Sequence, residues 1–186
     1  MKPLDLVLKN IGPFRHESID FTQLGDIFLV CGKTGAGKST IFNAITYALY
    51  GDFPSDRFKV SGSELRSDFV SSNEEASITF TFLHHDNCYK IHRILPATHL
   101  NKKNVETTQS ESALLFQKKE SNFQELHTKK TETDKAIKQL MGLTVEEFSR
   151  IILLPQGKFA EFLKQNSNEK RTTLLKLFPL DDYQNH

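Results

Sequence analysis

At 186 residues the chain has the length of one ordinary domain, long enough to bury a core. Its apolar fraction of 38% leaves room for long polar loops, and its net charge of +1 supplies no global field for nucleic acid. Two cysteines, Cys31 and Cys88, lack metal-ligand spacing and speak for a reduced interior against a disulfide framework. Met1–Asp5 has no signal-peptide core and no stretch is long and apolar enough to span a bilayer, so a cytoplasmic protein away from membranes is expected.

In chain order, residues 4–9 alternate loosely as an opening strand, Gly12-Pro13 breaks it, and residues 17–21 alternate as a second strand. The short apolar run 26–31 reads as a third strand, buried on both faces, with Cys31 as a small core residue at its end. Directly after it comes Gly32-Lys33-Thr34-Gly35-Ala36-Gly37-Lys38-Ser39, the pattern G-x-x-x-x-G-K-[ST]. Its glycines let successive N–H groups turn inward around a polyphosphate. Lys38 is placed to reach the β- and γ-phosphates, and the Ser39 hydroxyl to ligate an accompanying Mg²⁺. Ile41, Phe42, Ala44, Ile45, Ala48 and Leu49 then recur at helical spacing up to a Gly51 cap, so strand, loop and helix follow in the order that the motif demands.

Residues 52–63 are polar and turn-rich. Alternation returns with Ala76, Ile78, Phe80 and Phe82 on one face, and residues 88–94 supply a partner strand across the turn His84-His85-Asp86-Asn87. Neighbouring His84 and His85 would face opposite ways on a strand, which favours a hairpin tip over a metal site. Residues 97–112 read as a mobile polar loop, and 113–116 with 122–126 as a further strand pair. Lys118-Lys119 and Lys129-Lys130 read as solvated surface rather than phosphate contacts. A helix is predicted over 131–141, stopped by Gly142. A second begins at a Thr144/Glu147 capping box and runs through Ile151-Ile152-Leu153-Leu154 to Pro155. A last helix would start at Asn166, with Pro179 interrupting it, and residues 181–186 carry no terminal signature, so the chain reads as cut.

A phosphate loop alone does not choose among kinases, GTPases, transporters and repair ATPases. The segment Leu154-Pro155-Gln156-Gly157-Lys158-Phe159 narrows the field. A glutamine after an apolar end and before a glycine can set a neutral amide beside a phosphate-bound Mg²⁺ and a water. Local chemistry leaves Gln156 open between metal ligand and polar loop residue. Taken together, Leu8-Lys9-Asn10-Ile11-Gly12-Pro13-Phe14, Ile19-Asp20-Phe21, the phosphate loop through Thr40 with Ile41-Phe42-Asn43-Ala44-Ile45, and the Leu-Pro-Gln-Gly-x-Phe segment closely resemble the SbcC family.

That resemblance covers residues 1 to about 178. It implies an α/β P-loop NTPase of the ABC/SMC head type: a mixed sheet with an antiparallel β layer around the phosphate-loop helix, in an incomplete half-head. Residues 1–165 would form the half-head and 166–186 a helical lead into a coiled-coil root. It implies ATP and Mg²⁺ as cofactors. Gly32, Lys33, Thr34, Gly35, Ala36, Gly37, Lys38, Ser39 and Thr40 would bind nucleotide, Thr40 at the α-phosphate; Ser39 and Gln156 would serve the metal, Gln156 also a water. Asn43 departs from the family's usual aspartate. The implied partners are the SbcD nuclease, the C-terminal half of the same ATPase, a second head engaged on ATP binding, and double-stranded DNA. No apolar run here ends in Asp-Glu and no signature motif follows Gln156, so no catalytic set is complete and the nuclease chemistry would lie in SbcD. A stand-alone nucleotide-dependent binding module and, more remotely, an ABC transporter ATPase are the competing expectations.

Overall fold

A computed structural model describes residues 1–25, 27–53, 62–100, 106–151 and 166–167. Two long opening strands, β1 (Lys2–Ile11) and β2 (Phe14–Asp20), pair antiparallel around the Gly12-Pro13 turn. After α1 (Lys38–Tyr50), the chain forms β3 (Ser77–His84) and β4 (Asn87–Ile94). A small hairpin follows, β5 (Ala97–Leu100) with β6 (Glu106–Gln109). Next come β7 (Ser112–Lys119) and β8 (Asn122–His127), then α2 (Lys130–Met141) and α3 (Val145–Ile151).

Six strands form one sheet in the order β2-β1-β3-β4-β7-β8, and every pairing among the described residues is antiparallel. This is the antiparallel layer expected around the phosphate-loop helix. Period-2 alternation decides its inner face: Leu6 opposes Phe80, Leu8 opposes Ile78, and Phe80 opposes Ile91. These side chains are fully buried and cluster with Ala44, Ala48 and Leu49 of α1, Ile137 of α2 and Phe148 of α3. Both longer helices end on a glycine in the left-handed region, Gly51 at φ 64° and Gly142 at φ 64°, each returning its N–H to the preceding turn. At the start of α3 the Thr144 N–H donates to Glu147 Oε2 and the Glu147 N–H to Thr144 Oγ1, the reciprocal box read from the sequence.

Three expectations change. Residues 27–31 carry no strand pairing, Ile27 is 96% and Leu29 84% exposed, and Cys31 is exposed rather than a core residue. An apolar run becomes a strand only beside a ladder that accepts its N–H and C=O groups, and the described residues offer this one no neighbour. The polar stretch 97–112 is partly a hairpin, because β-branched Thr98 and Thr108 face one another across it. Lys130 keeps a partly exposed side chain, as expected of a surface residue, and pairs there with Asp134 and Glu111. Lys129 pairs with Glu132. The continuation of α3 through Leu154, the Gln156 segment, and the helix from Asn166 beyond Ser167 lie outside the described residues. No helix among the described residues is long and apolar enough to cross a membrane.

Candidate nucleotide site

The site is built on the N-terminus of α1. Gly35 at φ 83° and Gly37 at φ 88° hold the loop in a conformation that a side-chain-bearing residue adopts only under strain. The Ala36 N–H closes back on the Lys33 carbonyl at 3.2 Å, and the Ile41 N–H on the Gly37 carbonyl at 3.1 Å, so the loop curls into a ring that runs straight into the helix. Gly37 sits at the N-cap and has no side chain to cap the helix. No acidic residue occupies the first turn either. The leading N–H groups and the positive end of the dipole are therefore offered outward, which suits an anion.

Lys38 lies across this ring. Its ammonium donates to the Gly32 carbonyl at 2.7 Å and the Lys33 carbonyl at 2.8 Å. An ammonium has three N–H groups, so two fix its position and a third remains for an incoming oxygen. Residues 32–36 and Ser39 are exposed, while Gly37, Lys38 and Thr40 are half-buried. The ring is open to solvent on its anion-facing side and packed beneath.

What packs beneath is the turn between β1 and β2. A Cβ placed on Gly37 would lie 2.6 Å from Phe14 Cζ and 2.7 Å from Pro13 Cγ, so the two side chains fill the space that glycine leaves. A Cβ on Gly12 would lie 2.9 Å from Thr40 Cγ2, locking the turn to the first turn of α1. The turn is itself held. The Gly12 N–H donates to the Leu65 carbonyl at 2.8 Å and the Ser67 N–H to the Asn10 carbonyl at 2.9 Å. The Asn10 amide, in a buried residue at φ 56°, donates to the Glu75 carbonyl at 2.8 Å. Segment 65–75 thus fixes the turn, and the turn fixes the loop.

A polyphosphate fits this cradle: backbone N–H groups at a helix start, one fixed cation, and a solvent-open face above the packed turn. Ser39 is exposed in the first turn of α1, directly after Lys38, and no group of three or more His, Cys, Asp or Glu among the described residues could hold an ion alone. The structure brings Gly32 to Thr40 together as one unit. Gln156 is outside the described residues, and Asn43 is a half-buried position on α1. The support beneath the loop has no motif of its own. In the sequence pattern Gly12-Pro13 is a strand break and Phe14 the end of a segment that carries the family resemblance, yet Pro13 and Phe14 pack under the phosphate loop. Arg93 is there one residue of a strand, yet the alternation that puts Ile91 inward puts Arg93 inward too, where it is fully buried.

Comparison with known proteins agrees with this geometry. The profile of a family described as an AAA domain matches residues 5–185. SbcC of the SbcCD nuclease of Treponema pallidum (strain Nichols) is 46% identical over 185 residues, covering 98% of this chain. The protein of the same name from Staphylococcus epidermidis (strain RP62A) is 38% identical over 96% of the chain, and that of Staphylococcus aureus (strain MRSA252) 35% over 99%. The chain spans only 17–18% of the length of these relatives. A solved structure described under "Structural biochemistry of ATP-driven dimerization and DNA stimulated activation of SMC ATPases" superposes with a TM-score of 0.57 at 18% identity, covering 95% of this chain and 99% of that one. That likeness carries the fold: a partial head of the ABC/SMC type.

Proposed function

The chain belongs to the AAA domain family, with an SbcC-like sequence over nearly its whole length, and from that premise we propose that it is the N-terminal nucleotide-binding part of an SbcC-type DNA-repair ATPase. The observation that carries this reading is the Lys38 ammonium, fixed on two loop carbonyls within a glycine ring at the start of α1. Gly32 to Ser39 bind the phosphates of ATP, and Thr40 lies at the α-phosphate. When bound, Mg²⁺ would neutralise and polarise the phosphate oxygens; Ser39 and Gln156 are the residues of this chain that would hold it. Lys38 sets a positive charge where negative charge gathers, and the α1 N-terminus does the same with its dipole.

The remainder of the machinery belongs to other parts of the assembly. The exposed apolar run at Ile27, Phe28 and Leu29, directly before the phosphate loop, supports a head completed by a C-terminal half of the same protein. It favours that reading over a stand-alone binding module. In the complete protein, ATP binding engages two heads, and binding and hydrolysis govern the access of double-stranded DNA to the SbcD nuclease in the cytoplasm.

The test is a nucleotide titration of this chain with and without Mg²⁺. Wild type binds ATP, and Lys38→Ala loses about 1.5–3 kcal/mol, the value of a charge-assisted phosphate contact. Equal affinity in the two proteins would remove the loop from the function.

A further inference from the structure

Arg93 of β4 has no solvent exposure, and its donors are divided among three elements. Nε donates to the Ala48 carbonyl at 3.1 Å and Nη2 to the Leu49 carbonyl at 3.4 Å, both in the last turn of α1. Nη2 also donates to Asp134 Oδ1 of α2 at 2.8 Å, and Nη1 to Glu111 Oε1, just before β7, at 2.6 Å. Lys130 closes the circuit, 2.9 Å from Asp134 Oδ2 and 3.6 Å from Glu111 Oε2. The guanidinium stands 5.8 Å from the centroid of the Tyr47 ring, and a Cβ on Gly51 would come within 2.5 Å of Nη1. A cation therefore sits at the negative end of the helix whose positive end faces the phosphate loop.

A buried ion pair is a poor device for stability, because desolvating both charges offsets most of their attraction. It is a good device for geometry: the guanidinium is a planar fork whose donors point in fixed directions. α1 has 13 residues, so its two ends are about 20 Å apart along a stiff rod. Holding the last carbonyls of that rod fixes its axial position and its rotation. Both quantities decide where Lys38 and Ser39 stand relative to the loop carbonyls.

We propose that Arg93 is a positioning residue for the phosphate loop, holding the C-terminal end of α1 against Glu111 and Asp134 so that α2 and the nucleotide site move as one body. For its nucleotide readout the proposal rests on the function given above; for its geometry it does not.

The test uses Arg93→Lys, which keeps the charge and loses the fork, beside Ile137→Val, which loosens α2 without touching the carbonyls of α1. Thermal unfolding, Mg-ATP titration and the amide NMR positions of Gly32–Ser39 are measured on each. Arg93→Lys is expected to weaken Mg-ATP binding about fivefold or more, the lower end of coupling between separated sites, and to displace the loop amides. Ile137→Val should lower the unfolding temperature and leave both readouts unchanged. Wild-type affinity and unmoved amides in folded Arg93→Lys would overturn the proposal, as would an equal loss in Ile137→Val. Should Arg93→Lys fail to fold, Asp134→Asn and Glu111→Gln, each removing one side of the circuit, are read against the same two outcomes. A wild type that binds no nucleotide sinks the proposed function, while the loop amides of the variants still decide the coupling.

Discussion

Gly37 joins two demands that the motif states as one letter. Its φ of 88° admits an L side chain only with strain, and Phe14 and Pro13 occupy the volume where a Cβ would stand. Gly37→Ala should therefore destabilise the chain by about 1–3 kcal/mol through backbone strain and push the loop off the β1–β2 turn. A denaturant melt reads the first effect and an ATP titration the second; an unaltered midpoint would show that the turn yields. The backbone need was legible in the sequence, since phosphate loops require glycine there. The packing need was not, because Phe14 lies 23 residues upstream and meets the loop only through the β1–β2 turn and the segment 65–75 that holds it.

At the scale of elements, the readable features were those whose cause is local. The capping box, the two glycine stops, and the alternation of β3 and β4 follow from neighbours within a few residues, and all are present. The run 27–31 had an apolar signal of the same strength, but its outcome depends on a ladder that no nearby residue supplies. The β3–β4 ladder also carries a pH dependence. His92 Nδ1 and the Thr79 hydroxyl share a hydrogen bond of 2.8 Å, and burial, aided by Lys90 and Lys9 against the opposing pull of Glu75, holds the His92 pKa below its ordinary value of 6.5. His84 at the hairpin end is lowered too, again mainly by burial, with His85 and the N-terminal amine adding. A lowered value means that the unfolded chain takes up the proton first. The stability from these neutral imidazoles is thus complete above about pH 6.5 and is lost as pH falls through the folded-state values. Denaturant midpoints at pH 7.5 and 5.5 should show the decline, and His92→Gln should shrink it. An identical decline in that variant would clear His92.

For the molecule as a whole, composition bounded the size, and two short motifs bounded the class. What they could not convey is how unevenly the site is supported. One flank of the phosphate loop rests on the β1–β2 turn; along the other, Ile27 and Leu29 face solvent. Replacing both by serine should change the stability of this chain by no more than about 0.5 kcal/mol, as expected at exposed positions. It should lower binding of an apolar dye and self-association in sedimentation. A large loss of stability would mean that the run packs against this chain after all. Lys38 has one more consequence. A free lysine side chain gives up as much as about 2 kcal/mol of rotamer entropy when it is immobilised. Here the loop carbonyls immobilise it during folding, so the arriving phosphate meets a charge that has already stopped moving. Affinity then depends on the ring staying closed, and a loop that frays loses both its shape and the stillness of its cation.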